Sequence, residues 1–544
     1  MITGSGQLSA VKPLARLLAV LASILVLTAA CGSSGDEGSG TGGTVNQAAP
    51  TDEGTPTPGG TLRVAVGAEP DGLLPITARW SLEGNLIASS IYDTLMTFDE
   101  DRNLVPRLAE SMTPNADGTV WTIKLRPDVV FHDGTPFDAT AVKKNIDARR
   151  AVPITGTALK PIKEVLALDP LTVEVRMRTP WFGYDFTVAA QGGYMAAPAA
   201  IEANDSTLAI GTGPFKLAGT WRPGDPIRLV RNERYWGDKA HLDGIEFRVI
   251  VDQSSRAAAL QSGDVDLILT QDPESVKRFR STQGIVQVED FAAEETFAML
   301  NLTKPPFDNI HARKALAHAT NRQAINDAVG GGIQKDADQP YTENERYFLE
   351  DSGYPAYDPD KAREEIAAYT AETGKPLSFT ITSPSSNQQK SEAELLQAQW
   401  SAVGAQVSIE VLEQGSFLAQ VFLGQFQAAM FRNFAYVNPD SNYIFWHSSY
   451  ADPGGGINFG GLRSDAVDRA LDTARATADP DLRATEIKKA VRAINEEVAF
   501  IWLYHNDWGL AANTRVGGLT APQRLGFARQ DGKPWWPNIW LRPA

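Results

Sequence analysis

Residues 121–137 read WTIKLRPDVVFHDGTPF and carry the clearest structural signals of the chain. Trp, Ile and Leu alternate with polar residues at the start of this stretch, which is typical of a half-buried β-strand. The letters HDGTP then predict a tight turn, in which Gly134 supplies a positive φ. Asp138 follows at the position of a helix cap. His132 is therefore interpreted as a turn residue rather than as a ligand.

The same two periodicities recur along the chain after residue 60. Alternating or continuous apolar runs predict further strands at 61–66, 171–178, 245–251 and 499–504. A helix is predicted to end at Gly263, and another to begin after Asp479, which is followed by a proline. Strands and helices that mix in this way without an internal repeat indicate an α/β or α+β protein of several lobes.

Length and composition exclude several classes of protein. The chain has 544 residues, 43% of them hydrophobic, which is enough for a large core. Fifty basic and 66 acidic residues give a formal charge of −16, so a basic groove for nucleic acid is not expected. One cysteine excludes a disulfide framework and a cysteine-rich metal site.

The N-terminus predicts export and a lipid anchor. Lys12 and Arg16 precede an apolar run from Leu17 to Ala30, a length typical of a secretory signal and too short to span a membrane. The only cysteine, Cys31, follows at once, and the junction resembles a bacterial lipobox, in which the cysteine receives a diacylglycerol. The alternative is a signal cleaved nearby with Cys31 incidental.

A flexible linker is predicted next. Of the 29 residues from Gly32 to Gly60, 24 are Gly, Ser, Thr, Pro, Asp or Glu, which cannot bury enough apolar surface to fold. Residues 1–30 are thus a predicted signal peptide and 31–60 a lipidated cysteine with its linker. The expected location is the extracytoplasmic face of the cell membrane, held by the lipid alone.

No catalytic motif is found in the sequence. G-x-S-x-G, H-E-x-x-H and the phosphate-binding P-loop are absent, and the G-x-G-x-x-G match at 38–43 lies in the linker without a strand before it. The six histidines are scattered, and His447 beside Trp446 is a weak indication of a metal-chelate solute. We therefore expect no enzyme activity, no cofactor and no metal.

Several segments, in their order along the chain, resemble one known family. Besides residues 121–137 they are Gly59–Val64, Ile91–Leu95, Gly211–Phe215, Arg231–Trp236, Ala258–Asp266, Asn301–Asp308, Ala312–Leu316 and Tyr357–Lys361. Together they resemble the solute-binding proteins of dipeptide, oligopeptide and nickel ABC importers, often called family 5. The resemblance covers the chain from about Gly59 to its end. Most of these motifs are interpreted as scaffold.

The resemblance implies a fold. An α/β clamp of two lobes is expected, of the type II, large class of periplasmic binding proteins, with an extra subdomain in lobe I. Lobe I would comprise 61–91, 210–297 and 501–544, with the extra subdomain at 92–209 and lobe II at 298–500. Gly211, Gly213 and Pro214 are expected to shape a crossover between the lobes.

The resemblance also implies a function. The expected protein is a monomeric receptor that closes on a peptide or peptide-like solute and delivers it to the permease subunits of an ABC importer, whose cytoplasmic ATPase supplies the energy. One alternative is a lipoprotein of the same fold that acts as an interaction or regulatory module without transport. Another is a receptor for a sugar, an opine or a metal chelate.

The family places the solute between the loop after the first strand and a segment of lobe II, 431–439. Arg432 could pair with a carboxylate of the solute or form a scaffold ion pair, and the aromatic residues could stack on the solute or fill the core. The residues predicted to contact solute are Glu69, Asp71, Trp80, Tyr92, Asn301, Arg432, Asn433, Phe434, Tyr436 and Asn438.

One departure from the family pattern concerns the peptide N-terminus. In peptide-binding relatives an aspartate of the lobe II segment pairs with the α-ammonium group, but here that position falls on Ala435 or Tyr436. Asn438 offers only a neutral acceptor, and Glu69 or Asp71 on the facing loop could substitute. We hypothesise that the receptor does not require a free peptide N-terminus.

Overall fold

The computed structural model describes residues 54–99, 103–290, 294–343, 345–433, 439–453, 456–519 and 536–543, and the backbone of Thr44 and Val45. The predicted signal peptide and Cys31 lie outside the described residues. The strands are β1 (Thr44–Val45), β2 (Thr61–Val66), β3 (Met96–Phe98), β4 (Leu104–Pro106), β5 (Ala109–Pro114), β6 (Val120–Leu125), β7 (Ile162–Asp169), β8 (Thr172–Met177), β9 (Phe215–Leu217), β10 (Ile227–Arg231), β11 (Gly244–Val249), β12 (Leu267–Thr270), β13 (Ile285–Asp290), β14 (Glu295–Leu300), β15 (Lys335–Asp336), β16 (Ser378–Pro384), β17 (Gln406–Leu412), β18 (Ala428–Asn433), β19 (Phe500–His505), β20 (Trp508–Asn513), β21 (Val516–Gly517) and β22 (Trp540–Leu541).

Helices cover the faces of the sheets that these strands form. They are α1 (Leu82–Ile91), α2 (Ala139–Arg150), α3 (Tyr184–Thr187), α4 (Pro198–Ala203), α5 (Gln253–Ser262), α6 (Pro273–Phe279), α7 (Ile310–Ala319), α8 (Arg322–Val329), α9 (Pro359–Thr373), α10 (Asn387–Ala402), α11 (Gln414–Phe422), α12 (Tyr443–Trp446), α13 (Asp465–Arg475) and α14 (Pro480–Glu497).

Three sheets organise the described residues. Lobe I is built on a mixed sheet of order β1-β13-β20-β12-β2-β11-β10-β9, and lobe II on one of order β15-β19-β14-β18-β16-β17. An antiparallel sheet of order β5-β6-β8-β7 lies between α1 and β9 in the chain and has its own core around Trp121 and Trp181. This is the architecture that the sequence predicts, although the exact lobe boundaries stay predictions.

Two adjacent segments connect the lobes. One joins β13 to β14 and the other joins β19 to β20. β13 and β20 are hydrogen-bonded neighbours in the sheet of lobe I, and β14 and β19 are hydrogen-bonded neighbours in the sheet of lobe II. Glu294, the described end of the first connection, is bonded to the second, because Asn506 N donates to Glu294 O at 2.9 Å, and the Asn506 side chain donates to Thr296 Oγ1 of β14 at 2.9 Å. Such a paired connection is suited to a hinge between two lobes.

Local features predicted from the sequence are confirmed. Gly134 has φ of 87° and Gly263 has φ of 78°, both in the left-handed region that favours glycine. Asp138 caps α2 by accepting from Ala141 N at 2.8 Å, and Asp479 caps α14. Side-chain caps of this kind satisfy backbone N–H groups that the first helical turn leaves unbonded.

The family motifs of lobe I converge on the buried carboxylate of Asp93. Arg107 donates to it at 2.7 Å, Thr212 Oγ1 at 3.0 Å, and the Tyr235 hydroxyl and Trp236 Nε1 at 3.2 and 2.9 Å. These donors come from three separate parts of the sequence. The network therefore fixes the extra subdomain to the main part of lobe I, which supports the interpretation of these motifs as scaffold.

His132 belongs to the same structural region. Its Nδ1 accepts from Gly211 N at 3.2 Å, so that its Nε2–H donates to Gly213 O at 3.0 Å. Burial lowers the pKa of His132 to about 4, which keeps the ring neutral near pH 7. The histidine thus holds the glycine-rich segment in place, as the interpretation of a turn residue requires.

The expectation that Gly211, Gly213 and Pro214 form a crossover between the lobes is wrong. The segment packs on the last turn of α1 within lobe I, where a Cβ on Gly211 would lie 2.1 Å from Ile91 O. A Cβ on Gly213 would lie 2.5 Å from the Ile91 carbonyl carbon. The glycines are needed because two backbone segments approach too closely for any side chain.

The structure also differs from the expectation of a flexible linker up to Gly60. Thr44 and Val45 pair with β13, and Thr57 Oγ1 donates to Leu541 O at 2.6 Å. Gly59 N and Gly60 N donate to His241 O and to the Asp243 carboxylate. Composition alone misses these bonds because backbone groups make most of them.

Candidate functional site

A cavity of about 490 Å³ lies between the two lobes. Its volume falls within the range of about 300–1,000 Å³ that is typical of small-ligand sites. Lobe I lines it with residues that include Trp80, Arg149, Leu159, Trp181 and Gln191, and lobe II with residues that include Gln389, Phe417, Met430, Phe431, Arg432 and Phe445.

Aromatic side chains form much of the cavity wall. In lobe I, Trp80 is fixed by a hydrogen bond from its Nε1 to Gly72 O at 2.8 Å and by an edge contact with Tyr194 at 5.6 Å. In lobe II, the ring of Phe431 on β18 stacks on the ring of Phe417, with 6.3 Å between the ring centroids. Rigid rings on both sides can enclose an apolar or planar part of a solute.

Arg432 joins the two lobes at one end of the cavity. Its Nη1 donates to Gln271 Oε1 at 2.7 Å, and its Nε lies 3.5 Å from Glu294 Oε1. Burial raises the pKa of Glu294. Burial alone would lower the pKa of Arg432, but the charges of Glu294 and Glu392 outweigh this effect and raise it. The arginine is thus already paired by carboxylates of the protein.

A second polar contact between the lobes is formed by Asp440, Arg475, Trp181 and Phe182, which we name the latch. Asp440 pairs with Arg475 at 2.7 Å, and both side chains are at least nine-tenths buried. Trp181 Nε1 of the extra subdomain donates to Asp440 Oδ2 at 2.7 Å, and Phe182 N donates to Arg475 O at 2.9 Å. The latch therefore holds the lobes together beside the cavity.

Of the residues predicted to contact solute, the structure brings Trp80 and Arg432 to the cavity. Phe434, Tyr436 and Asn438 lie outside the described residues, as does Ala435. Asn433 is buried, donates to Asn442 Oδ1 at 3.3 Å and is not in the cavity lining.

The other predicted residues have structural partners and are not in the cavity lining. Tyr92 donates its hydroxyl to Leu73 O at 2.8 Å, and the Asn301 amide donates to Gly424 O and Phe426 O. Glu69 accepts from Gly224 N at 2.5 Å, and Asp71 pairs with Arg79 at 2.9 Å. Contact of these four residues with solute stays a prediction.

Sequence reasoning did not find several lining residues, among them Arg149, Trp181, Gln191, Phe417 and Phe445. They come from five separate segments, and none of them lies in a motif that the sequence singles out. Only the tertiary structure brings such residues together.

The described residues contain no group of three or more His, Cys, Asp or Glu side chains placed to hold a metal ion. His447 lies outside the cavity lining, where its Nδ1 accepts from Ser449 N at 3.1 Å. Across the same described part of the chain, no helix combines the length and the apolar character needed to cross a membrane.

A two-lobe α/β clamp with a ligand-sized cavity between its lobes defines a solute-binding protein. Residues 103–455 match the family described as bacterial extracellular solute-binding proteins, family 5, and the chain belongs to that family. Family 5 proteins are extracytoplasmic receptors that bind solutes and deliver them to the permeases of ABC importers. The resemblance inferred from the sequence motifs is confirmed.

Curated relatives are binding proteins and not enzymes. The chain is 32% identical over 369 residues to the glutathione-binding protein GsiB of Pectobacterium atrosepticum. This alignment covers 66% of this chain and 70% of GsiB. It is 28% identical over 485 residues to GsiB of Shigella dysenteriae, and this alignment covers 86% of this chain and 93% of that GsiB.

Solved structures confirm the predicted fold. The periplasmic binding protein DppA from Helicobacter pylori, in complex with the peptide STSA, is 25% identical with a TM-score of 0.78, over 90% of this chain and 99% of that chain. The oligopeptide-binding protein AppA from Bacillus subtilis, in complex with a nonapeptide, is 21% identical with a TM-score of 0.78, over 90% and 100% of the two chains.

Proposed function

We propose that this receptor binds a short peptide or a peptide-like solute in the cavity between its lobes, and that it does so by clamp closure without catalysis. The observation that carries the proposal is that both lobes line one cavity of about 490 Å³. A solute held there contacts both lobes at once, so its binding energy favours the closed arrangement.

The solute class is inferred from the relatives and from the cavity. GsiB is named for glutathione and the DppA structure contains a four-residue peptide. A volume of about 490 Å³ suits solutes of this size better than a nonapeptide that lies wholly inside. The wall combines aromatic rings with the amide side chains of Gln191, Gln389 and Gln414, which can bond to peptide groups.

Closure would be shared between the solute and the protein. Arg432 with Gln271 and Trp181 with Asp440 are contacts that exist only when the lobes are together. An open form would have to expose these polar groups to water, and the solute would add its contacts to theirs. Only the closed form would dock productively on the permease, which would deliver the solute without any covalent step.

Solute binding should therefore stabilise and compact the protein. Thermal unfolding and small-angle scattering would be recorded with glutathione, with the tetrapeptide Ser-Thr-Ser-Ala, and with a mixture of tripeptides. A solute present at 100 times its Kd adds about 2.7 kcal/mol to the free energy of unfolding. We expect at least one of these probes to raise the melting temperature, and the same probe to lower the radius of gyration.

Two alanine-to-tryptophan variants provide the control. Ala158 lines the cavity, so Ala158→Trp should fill it and abolish the ligand-induced shift. Ala203 is exposed at the end of α4 and is not in the cavity lining, so Ala203→Trp should keep the shift. Equal shifts in both variants, or no shift with any probe, would contradict binding of a peptide-like solute in this cavity.

We also propose that the receptor is tethered to the membrane through a diacylglycerol on Cys31. The supporting observation is the position of the only cysteine directly after the apolar run at 17–30. Cys31→Ala should move the protein from the membrane fraction to the soluble fraction, as judged by fractionation of a bacterial host that processes lipoproteins. A Cys31→Ala protein that stays with the membranes through washing without detergent would contradict the anchor.

A further inference from the structure

The cavity contains a buried guanidinium that no carboxylate of the described residues pairs with and that has an unsatisfied N–H group. Arg149 lies in the last turn of α2 and lines the cavity. Only 3% of its surface is exposed. Its Nη2 has no hydrogen-bond partner among the described residues. Its neighbour Arg150 instead pairs with Asp147 at 3.1 Å and donates to Ile162 O at 2.7 Å.

The charges around the cavity leave Arg149 uncompensated. Four arginines and two carboxylates belong to its described lining. Arg432 is paired with Glu294, Arg475 with Asp440, and Arg79 with Asp71 just outside the lining. Among the described lining residues, Arg149 is thus the cation that no carboxylate neutralises.

Retaining such a cation is unfavourable for folding. A buried charge without a partner loses its hydration and gains no ion pair in return. Burial lowers the pKa of Arg149 to about 10, and among the described ionisable groups only Tyr194 acts in the opposite direction. The guanidinium still carries its charge at pH 7. An uncompensated cation inside a cleft is a physical sign of an anion-binding site.

We propose that Arg149 binds a carboxylate of the solute, and therefore that the solutes of this receptor carry an anionic end that points into lobe I. The proposal rests on the proposed function and adds the chemical class of the solute. One uncompensated positive charge matches one carboxylate, whereas a phosphate monoester carries a charge of about −1.5 to −2. The guanidinium can offer two parallel N–H groups to both oxygens of a carboxylate.

The same charges argue against recognition of an ammonium group. Both carboxylates of the described lining, Glu294 and Asp440, are already paired with arginines. Glu69 and Asp71, the substitutes considered from the sequence, bond to Gly224 N and Arg79. The carboxylate, and not a free N-terminus, is therefore the charged group by which the receptor selects its solute.

The test compares one tripeptide mixture in three forms: unmodified, N-acetylated and C-amidated. Affinities would be measured by calorimetry on the full chain and on the Arg149→Gln, Arg149→Lys and Arg150→Gln variants. For the unmodified protein we expect C-amidation to weaken binding at least tenfold, and N-acetylation to weaken it less than tenfold. Arg149→Gln should remove the difference between free and amidated peptides, Arg149→Lys should restore part of it, and Arg150→Gln should leave it unchanged.

A second measurement needs no solute. Because no described carboxylate compensates the buried charge of Arg149 in the empty protein, Arg149→Gln should raise the melting temperature of the ligand-free protein. Arg150→Gln should lower it, since that variant loses an ion pair and a hydrogen bond. A ligand-free Arg149→Gln protein that is less stable than the parent would show that Arg149 is structural and would overturn the proposal.

The two proposals fail in different ways. If free and amidated peptides bind equally well to the parent protein, the receptor binds peptides but Arg149 is not the carboxylate anchor. If no peptide form binds, the peptide class is wrong. The melting temperature of the ligand-free Arg149→Gln variant then tests Arg149 alone. A rise supports an unsatisfied anion site at Arg149, and a fall overturns that site.

Discussion

Replacing Asp93 by alanine should lower the free energy of unfolding by about 3–5 kcal/mol, the effect expected when one partner of a buried ion pair is removed. The Asp93 and Arg107 side chains are 2% and 13% exposed, so little water can replace the lost carboxylate. Thr212, Tyr235 and Trp236 would lose an acceptor as well. The measurement is the midpoint of urea unfolding, followed by tryptophan fluorescence.

The control for this prediction is an exposed ion pair. Asp360 is 91% exposed and pairs with Arg363 one helical turn away, so Asp360→Ala should change the free energy of unfolding by less than about 1 kcal/mol. If Asp93→Ala changed the free energy of unfolding as little as Asp360→Ala, the network around Asp93 would not be what stabilises lobe I, and its motifs would need another explanation.

Replacing Asp440 by alanine should disrupt the latch and shift the empty protein towards an open form. The change leaves Arg475 buried without its carboxylate, which costs about 3–5 kcal/mol, and it removes the acceptor of Trp181. Because the bond from Trp181 crosses between the lobes, part of this cost falls on the closed form alone. We expect a larger radius of gyration in small-angle scattering and a lower melting temperature.

Trp181→Phe separates the two effects of Asp440→Ala. It removes the hydrogen bond between the lobes but leaves the Asp440–Arg475 pair within lobe II intact. A hydrogen bond to a charged group contributes about 1.5–3 kcal/mol, so this variant should open the clamp with less loss of stability. As a control, Asp452→Ala breaks an exposed pair with Arg463 and should leave the scattering profile unchanged. A latch that holds the lobes together would be contradicted if neither Asp440→Ala nor Trp181→Phe changed the radius of gyration.

Much of the fold could be predicted from the sequence because its signals are local. The alternation at 121–125, the cap at Asp138 and the positive φ at Gly134 depend on neighbours a few residues away. The ordered set of motifs also identified the family. What the motifs do was visible only in three dimensions, where Asp93 collects donors that lie up to 143 residues away in the chain.

The candidate site could be predicted only in part, because long-range packing decides which side chains reach the cavity. Arg149 and Arg150 are adjacent arginines on one helix, and nothing local distinguishes them. Successive positions on a helix differ by about 100° in direction, so the packing of α2 sends one guanidinium into the cavity and the other to Asp147.

Glu294 and Glu295 make the same point at the start of a strand. Glu294 lines the cavity, whereas Glu295 is fully buried elsewhere, and burial raises its pKa well above the usual range. Side chains that follow one another along a strand point to opposite faces of the sheet, and the sequence does not say which face meets the other lobe. The sequence by itself thus determined the elements, the family and the class of function. The tertiary structure alone decided the charge of the cavity, because that charge depends on which arginines find a carboxylate across distant parts of the chain.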